Sequence, residues 1–262
     1  MSSEKIVLRT SDGFDIVGRF SHVADSKRAV IFAHGLSSDK DHNPTMKMAE
    51  KQLNEKGIST FALDFRCHGE SSGDSIKDFN ITGELIDLET VVAFLKENGF
   101  THIGITGSSF GGGTSSLYAG KHIEEIGALC LLNPVLDYTR AFLNPTTEWA
   151  RRTFADAEER IEKDGYIAIG SREFHAGKPL FDEMKEYVPL DALKKYERPL
   201  LFIHGDQDTK VNHEDTYNSF VSLESSNKEL EIIHGGDHGF KEEPFTTEVA
   251  ELITDFFVTR LK

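Results

Sequence analysis

Two cysteines, Cys67 and Cys130, are all that 262 residues carry. They make no disulfide framework, and both lie in or beside apolar strand-like runs where buried free thiols are the ordinary outcome. Long apolar runs are missing as well. No stretch approaches the roughly 18 residues that mark a membrane-spanning helix. Met1 to Arg9 is polar around a short strand-like core and lacks the apolar segment of a secretory signal. Basic charge is scarce: 29 Lys and Arg stand against 44 Asp and Glu, a formal net charge of -15. That balance favours solubility and argues against a nucleic-acid or anionic-membrane surface. There is no basic run, no zinc-finger spacing and no G-x-G-x-x-G fingerprint. Gly104 to Gly113 superficially resembles a phosphate loop but lacks the lysine after the glycines. Together these absences point to a cytoplasmic protein with no nucleic-acid, membrane or cofactor partner, and they leave homodimerisation open.

What is present is a rhythm of strands and helices. The length allows one large domain with an insertion. Ile6-Val7-Leu8 and Phe14 to Phe20 flank Ser11-Asp12-Gly13, which predicts an antiparallel edge hairpin. Ala29 to Ala33 is a continuous apolar run, as a buried parallel strand requires. A helical stripe at Met46, Ala49 and Leu53 follows, then a strand over Ile58 to Leu63. Ile81, Leu85, Leu88, Val92 and Leu95 predict an amphipathic helix. Strands over His102 to Thr106 and Ile126 to Leu132 continue the alternation. The expected fold is α/β, a doubly wound and mostly parallel sheet with helices on both faces.

Between Val135 and Leu190 the alternation breaks. About 55 residues is too long for an ordinary connection between sheet strands, so residues 135–190 are expected to form an inserted lid, with residues 1–134 and 191–262 as the core. Ala150, Phe154, Ala157 and Ile161 form one helical stripe. Tyr166 to Ile169 and Glu173 to Ala176 are short strand candidates around Gly170-Ser171, and Pro179 opens a helix through Tyr187. The sheet resumes with Pro199 to His204. A short helix is expected over Val211 to Phe220, a last strand over Lys228 to Ile233, and a final amphipathic helix through Val249, Leu252, Ile253, Phe256 and Val258.

The chemistry gathers on three loops at strand C-termini. Gly107-Ser108-Ser109-Phe110-Gly111 is a G-x-S-x-G elbow between a strand and a helix, with Ser109 exposed at a strained tip. A serine hydroxyl needs a base, and the base needs an orienting carboxylate. Asp208 and His238 supply these in the order Ser, acid, His. Asp206 rivals Asp208, and His234 rivals His238. Ser108 sits one place too early for the glycine spacing. The oxyanion requires backbone donors: the N–H of Phe110 and that of Leu36, which Gly35 lets approach. His34 is expected to fix this loop by hydrogen bonding. With Trp149, Phe154 and Tyr166 it also makes the candidate substrate pocket. Asp64, His68 and Glu70 read as solvated loop residues, and no metal is expected either there or at His204, His213 and Asp208.

These motifs resemble the α/β-hydrolase superfamily over nearly the whole chain. The chain is most similar to small microbial serine esterases of the feruloyl (cinnamoyl) esterase and monoacylglycerol-lipase-like type. His34-Gly35 matches the oxyanion strand end. Asp64 to Ser71 resembles a D-x-R-G-H-G-x-S segment, with Cys67 in place of the usual glycine. Gly205-Asp206-Gln207-Asp208 matches the acid loop, with Asp208 as the acid, and Gly236-Asp237-His238 matches the histidine loop. The resemblance implies a cofactor-free serine carboxylesterase working through an acyl-enzyme. Its expected substrate is a small uncharged ester of short acyl or hydroxycinnamoyl type. Monoacylglycerol lipase or thioesterase is the alternative, peptidase activity a more distant one, and a non-catalytic binding protein a third.

Overall fold

The computed structural model describes residues 3–170 and 174–262. In chain order the elements are β1 (Ser3–Arg9), β2 (Asp15–Ser21), β3 (Arg28–Ala33), α1 (Pro44–Glu55), β4 (Ser59–Leu63), α2 (Ile81–Glu97), β5 (His102–Ser108), α3 (Phe110–Lys121) and β6 (Ile126–Leu132). After a π-helical turn at Thr139–Leu143 come α4 (Glu148–Phe154), α5 (Ala157–Asp164), β7 (Tyr166–Ile169), β8 (Phe174–Gly177), α6 (Lys178–Glu183) and α7 (Pro189–Leu193). The chain closes with β9 (Leu200–Gly205), α8 (His213–Ser222), β10 (Lys228–Ile233) and α9 (Phe245–Arg260).

The sheet runs β1-β2-β4-β3-β5-β6-β9-β10. β1 and β2 pair antiparallel at one edge, β2 meets β4 antiparallel, and every later pairing is parallel. Alternation along each central strand builds two cores. In β3, Val30 and Phe32 face α1 and α9, whereas Ala29, Ile31 and Ala33 face α2 and α3. β6 and β9 divide the same way: Cys130 and Ile203 go to the first core, Leu129 and Phe202 to the second. Both faces are therefore covered, and these strands read as unbroken apolar runs.

The register aligns the strand C-termini. Ala33 pairs with Gly107, Ser108 with Leu132, Leu132 with Ile203, and Gly205 with Ile233. The loops that leave these strands consequently emerge side by side along one edge of the sheet.

The insert has its own core, in which Phe142, Phe154, Ile167 and Phe181 pack over Phe79 and Phe110. Three details differ from the sequence expectation. The stripe through Ala150, Phe154, Ala157 and Ile161 is buried throughout, but α4 and α5 are separate helices broken at Ala155-Asp156. Arg160 donates to the Thr153 carbonyl (3.2 Å), an acceptor that the break frees from the helix ladder. The helix from Pro179 stops at Glu183, whose carboxylate takes the N–H and hydroxyl of Thr82, each at 2.8 Å. Finally, α7 begins at Pro189 and packs against α3, where a Cβ on Gly120 would stand 2.3 Å from the Ala192 carbonyl oxygen. The strand expected over Glu173 to Ala176 is found as β8; Ser171 and Glu173 lie outside the described residues.

Candidate active site

Ser109 sits between β5 and α3 at φ 54° and ψ -119°. An L-residue pays for this left-handed backbone, so the surroundings must hold it. They do. Ser109 N–H donates to Leu132 O (2.9 Å), and its carbonyl accepts from Val135 N–H (3.0 Å) and Gly112 N–H (3.0 Å). The elbow glycines answer to crowding: a Cβ at Gly111 would lie 2.1 Å from the His34 carbonyl oxygen, and one at Gly107 2.5 Å from Ser115 Oγ.

The three loops bring their side chains together. Ser109 Oγ lies 3.0 Å from His238 Nε2, and His238 Nδ1 lies 2.7 Å from Asp208 Oδ2. Because Asp208 only accepts when ionised, Nδ1 carries the imidazole proton and Nε2 faces the serine as acceptor. Asp208 is fully engaged. Its Oδ1 accepts from the N–H groups of Lys210 (2.7 Å) and Val211 (3.0 Å), and its Oδ2 also lies 3.2 Å from His204 Nε2. Burial acts to raise this carboxyl, but the facing His238 and the hydrogen bonds from both imidazoles outweigh it and hold Asp208 below the usual carboxylate range. Asp206 takes a different partner: His234 at 2.9 Å, out in solvent, with the Gly235 N–H at 2.8 Å. The two carboxylates, two residues apart, thus serve two different histidines. Ser108, the last residue of β5, is buried at the edge of the polar cleft, and the His238 ring meets Ser109 instead.

The donor side is built on the loop after β3. A Cβ on Gly35 would stand 2.9 Å from Ser109 Cβ, so the glycine allows this loop to close on the serine. His34 Nδ1–H donates to Gly35 O (2.8 Å), while its Nε2 accepts from Phe65 N–H (3.0 Å). The Gly35 carbonyl and the Leu36 N–H belong to one planar peptide unit, so His34 also aims the Leu36 amide. Phe110 is the first residue of α3, and its N–H has no acceptor within the helix.

Two cavities meet at Ser109 and His238. One is small, about 60 Å³, and its walls are Val135, Phe142, Trp149, Ile169 and Val211. The other is a wider polar cleft of about 390 Å³, bordered by His34, Ser38, Asn43, Thr209 and Asp237. Trp149 and His34 therefore sit where the sequence puts them. Phe154 and Tyr166 do not. Phe154 is 2 % exposed in the insert core and packs against Phe142, Trp149 and Phe181. Tyr166 packs against His175, with ring centroids 4.3 Å apart and planes tilted by 44°. Neither lines a cavity at Ser109. Phe142 and Ile169 take their places, a choice set by how the insert's short elements pack and invisible in a one-dimensional stripe.

Two further expectations are corrected. Asp64 and His68 are buried rather than solvated. Asp64 accepts from Lys40 Nζ (2.7 Å), Lys40 N–H (2.7 Å) and Glu70 N–H (3.0 Å). Among the described residues no His, Cys, Asp and Glu group has the arrangement of a metal site. Cys67 has φ 64°, a backbone that glycine adopts without cost, and burial pushes its thiol up to about 12, which leaves it a poor nucleophile.

Asn133, at the end of β6, is a residue that motif spacing missed. It is buried; its Oδ1 accepts from Gly205 N–H (3.0 Å) and its Nδ2 donates to Asp237 O (3.3 Å). One side chain thereby ties the acid loop to the histidine loop. Its only trace in the sequence is an amide at a strand terminus before Pro134.

Comparison with known proteins gives three kinds of match. The family described as "Hydrolase_4: Serine aminopeptidase, S33" matches residues 24–163. The chain is 27% identical over 249 residues to the uncharacterized protein YqkD of Bacillus subtilis (strain 168), covering 91% of this chain and 73% of that protein. It is 22% identical over 256 residues to a monoacylglycerol lipase of Mycolicibacterium smegmatis, covering 90% of each. Est1E from Butyrivibrio proteoclasticus, solved with ferulic acid bound, superposes with a TM-score of 0.81 at 22% identity, covering 97% of this chain and 98% of that one. At that identity the likeness speaks to the fold.

Proposed function

The chain belongs to the Hydrolase_4 (serine aminopeptidase, S33) family and is an enzyme of serine-hydrolase type; from that premise we propose that it is a carboxylesterase acting on small uncharged esters. The observation that carries the reading is the unbroken relay from Ser109 Oγ through His238 to Asp208, opening on a small apolar pocket. In this reading Ser109 attacks the ester carbonyl as His238 Nε2 takes its proton. Asp208, kept ionised, stabilises the imidazolium that forms. The N–H groups of Leu36 and Phe110 hold the oxyanion. His238 returns the proton to the leaving alcohol, then activates the water that releases the acid and restores Ser109.

The pocket supports a short acyl group. At about 60 Å³ against about 390 Å³ for the polar cleft, the apolar pocket is the small compartment beside Ser109 and suits a short chain rather than an aromatic ring with its linker. A hydroxycinnamoyl group would have to lie in the wider polar cleft. The family description raises aminopeptidase activity as a second reading. Recognition of a free amine is served by an acidic group; no described residue that lines the apolar pocket is acidic, and the carboxylate on the polar cleft, Asp237, already accepts from the N–H groups of Gly239 (3.0 Å) and Phe240 (2.7 Å). The apolar pocket's one residue with a fixed charge, Lys210, stands over the Trp149 ring with Nζ 5.4 Å from the centroid, and an ammonium there repels another.

A fluorophosphonate should label Ser109, and Ser109→Ala should lose both the adduct and roughly 10³-fold or more of the hydrolysis while remaining folded. A panel of short and long p-nitrophenyl esters, methyl ferulate, a monoacylglycerol, an acyl thioester and an aminoacyl anilide then ranks substrate classes, with the short acyl esters expected first. Preference for the aminoacyl anilide would reverse the argument drawn from Lys210.

A further inference from the structure

We propose that His68 is a positioning residue for the oxyanion donor at Leu36, acting through Ser37 and held in place by Phe174 of the insert; the proposal rests on the assignment of Ser109 as nucleophile. His68 lies in the loop after β4, away from the relay. It is buried, and its Nε2 accepts from the Ser37 N–H (3.3 Å) while its Nδ1–H donates to Arg66 O (2.9 Å). Ser37 directly follows Leu36 and has φ 55°. Such a backbone is costly for serine and persists only where neighbours hold it. His34 fixes the peptide unit that carries the Leu36 N–H, and His68 fixes the next one. The two imidazoles thus clamp consecutive peptide planes, with ring centroids 5.0 Å apart.

The far side of His68 is equally constrained. Arg66 anchors the loop with bonds to Asp87 (2.8 and 3.0 Å) and Asp12 (2.7 and 3.0 Å). Phe79 meets the His68 ring edge-on, and Phe174 stacks on it at 4.3 Å with planes 17° apart. Phe174 opens β8. At the end of β7, Gly170 touches the same loop: a Cβ there would stand 2.8 Å from Ser37 Oγ. The inserted hairpin therefore braces the oxyanion loop at two points, once directly and once through His68. Burial and the neighbouring His34 push His68 down to about 3, so the ring stays neutral and Nε2 stays an acceptor. By this route the insert influences the chemical step without touching the scissile bond.

The test separates positioning from binding. His68→Leu removes the acceptor but keeps apolar bulk beneath Phe174. His68→Gln restores an acceptor near the Nε2 position. Phe174→Ala removes the stacked ring from a half-buried site. Each is assayed for kcat and KM on a short p-nitrophenyl ester and for inhibition by a trifluoromethyl ketone, which forms a tetrahedral adduct, beside inhibition by the product acid. Loss of a whole oxyanion donor costs about 10²–10³ in kcat, so a loosened one should cost about 10- to 100-fold in His68→Leu and about 3- to 10-fold in Phe174→Ala. KM and product inhibition should hold within about threefold, the ketone should weaken in step with kcat, and His68→Gln should recover most of the loss. If His68→Leu does not fold, Phe174→Ala carries the same split. A folded variant of either kind with kcat within about twofold of the parent, or with its loss confined to KM, overturns the proposal. Failure of the parent to label at Ser109 would instead overturn the reading beneath it, and the proposal with it.

Discussion

Replacing Asn133 with alanine should unsettle two loops at once. The side chain satisfies the buried Gly205 N–H at 3.0 Å and the Asp237 carbonyl at 3.3 Å, and the residue has φ 42°. A buried partner left unpaired costs about 1–3 kcal/mol. The Gly205 N–H, on a buried residue, belongs at the high end of that range, and the Asp237 carbonyl, on an exposed residue that water reaches, adds little, so the two together lose about 3 kcal/mol. Asparagine tolerates a left-handed backbone better than alanine, which adds about 1 kcal/mol. The sum, about 4 kcal/mol, corresponds to a fall of about 8 °C in Tm for a chain this size. Asn133→Gly loses the same bonds but not the Cβ strain, and should be the milder by about 1 kcal/mol. Thermal unfolding by circular dichroism measures the shifts, and kcat on a short ester should fall in both variants because Asp208 and His238 lose their common tie. A Tm within about 2 °C of the parent for Asn133→Ala would show that water or backbone adjustment replaces the amide, and the reasoning would fail.

Other outcomes follow from the same geometry. Asp208→Asn should cut kcat by about 10⁴-fold through loss of the imidazole's orientation and counter-charge, whereas Asp206→Asn, whose partners are the exposed His234, the Gly235 N–H and Gln207 and not His238, should stay within about twofold; the reverse ranking in steady-state kinetics would exchange their roles. Glu84 is fully buried beside Thr114, and burial raises its carboxyl well above the ordinary value of 4.5. The native state therefore holds this proton after the unfolded chain has released it, and stability falls as pH rises from about 4.5 toward the native value. The Tm of Glu84→Gln relative to the parent should accordingly rise between pH 5 and pH 8, and a constant difference would contradict the burial argument. Trp149→Ala, at the pocket wall, should reorder acyl preference in the ester panel, while Phe154→Leu, one layer behind, should change Tm more than rank order.

What could be read from the chain alone was governed by local rules. The elbow at Ser109 announces itself because crowding at Gly107 and Gly111 admits no side chain, and strands buried on both faces leave uninterrupted apolar runs such as Ala29 to Ala33. Loop position and order suffice to nominate Asp208 and His238, since a parallel sheet with aligned ends collects its C-terminal loops. Residues that act across several loops left no such trace. Asn133 and His68 matter for the partners they meet, and the loop partners they tie, Ser37, Gly205 and Asp237, lie 31 to 104 residues away. The insert was harder still. Trp149 and Phe154 belong to one short helix, yet their separation of five positions leaves the side chains about 140° apart around its axis, which sends one to the pocket and the other to the core. Cys67 stands where the resembled family has glycine, and the backbone kept its left-handed turn. The added side chain is accommodated beside Gly73, where a Cβ would come within 2.6 Å of the sulfur.

Ser109 and His238 are 129 residues apart, and the strands that deliver them, β5 and β10, are separated in the sheet by β6 and β9. During synthesis the hydroxyl emerges long before its base. Until β9 and β10 are laid beside β6, Ser109 is an ordinary alcohol with no acceptor aimed at it. Pairings of such long sequence separation form late, because the chain must first close large loops. Reactivity is thus expected to appear only once the sheet is complete. The appearance of fluorophosphonate labelling during refolding should follow the completion of the sheet, so the nucleophile itself reports when the final strands have docked.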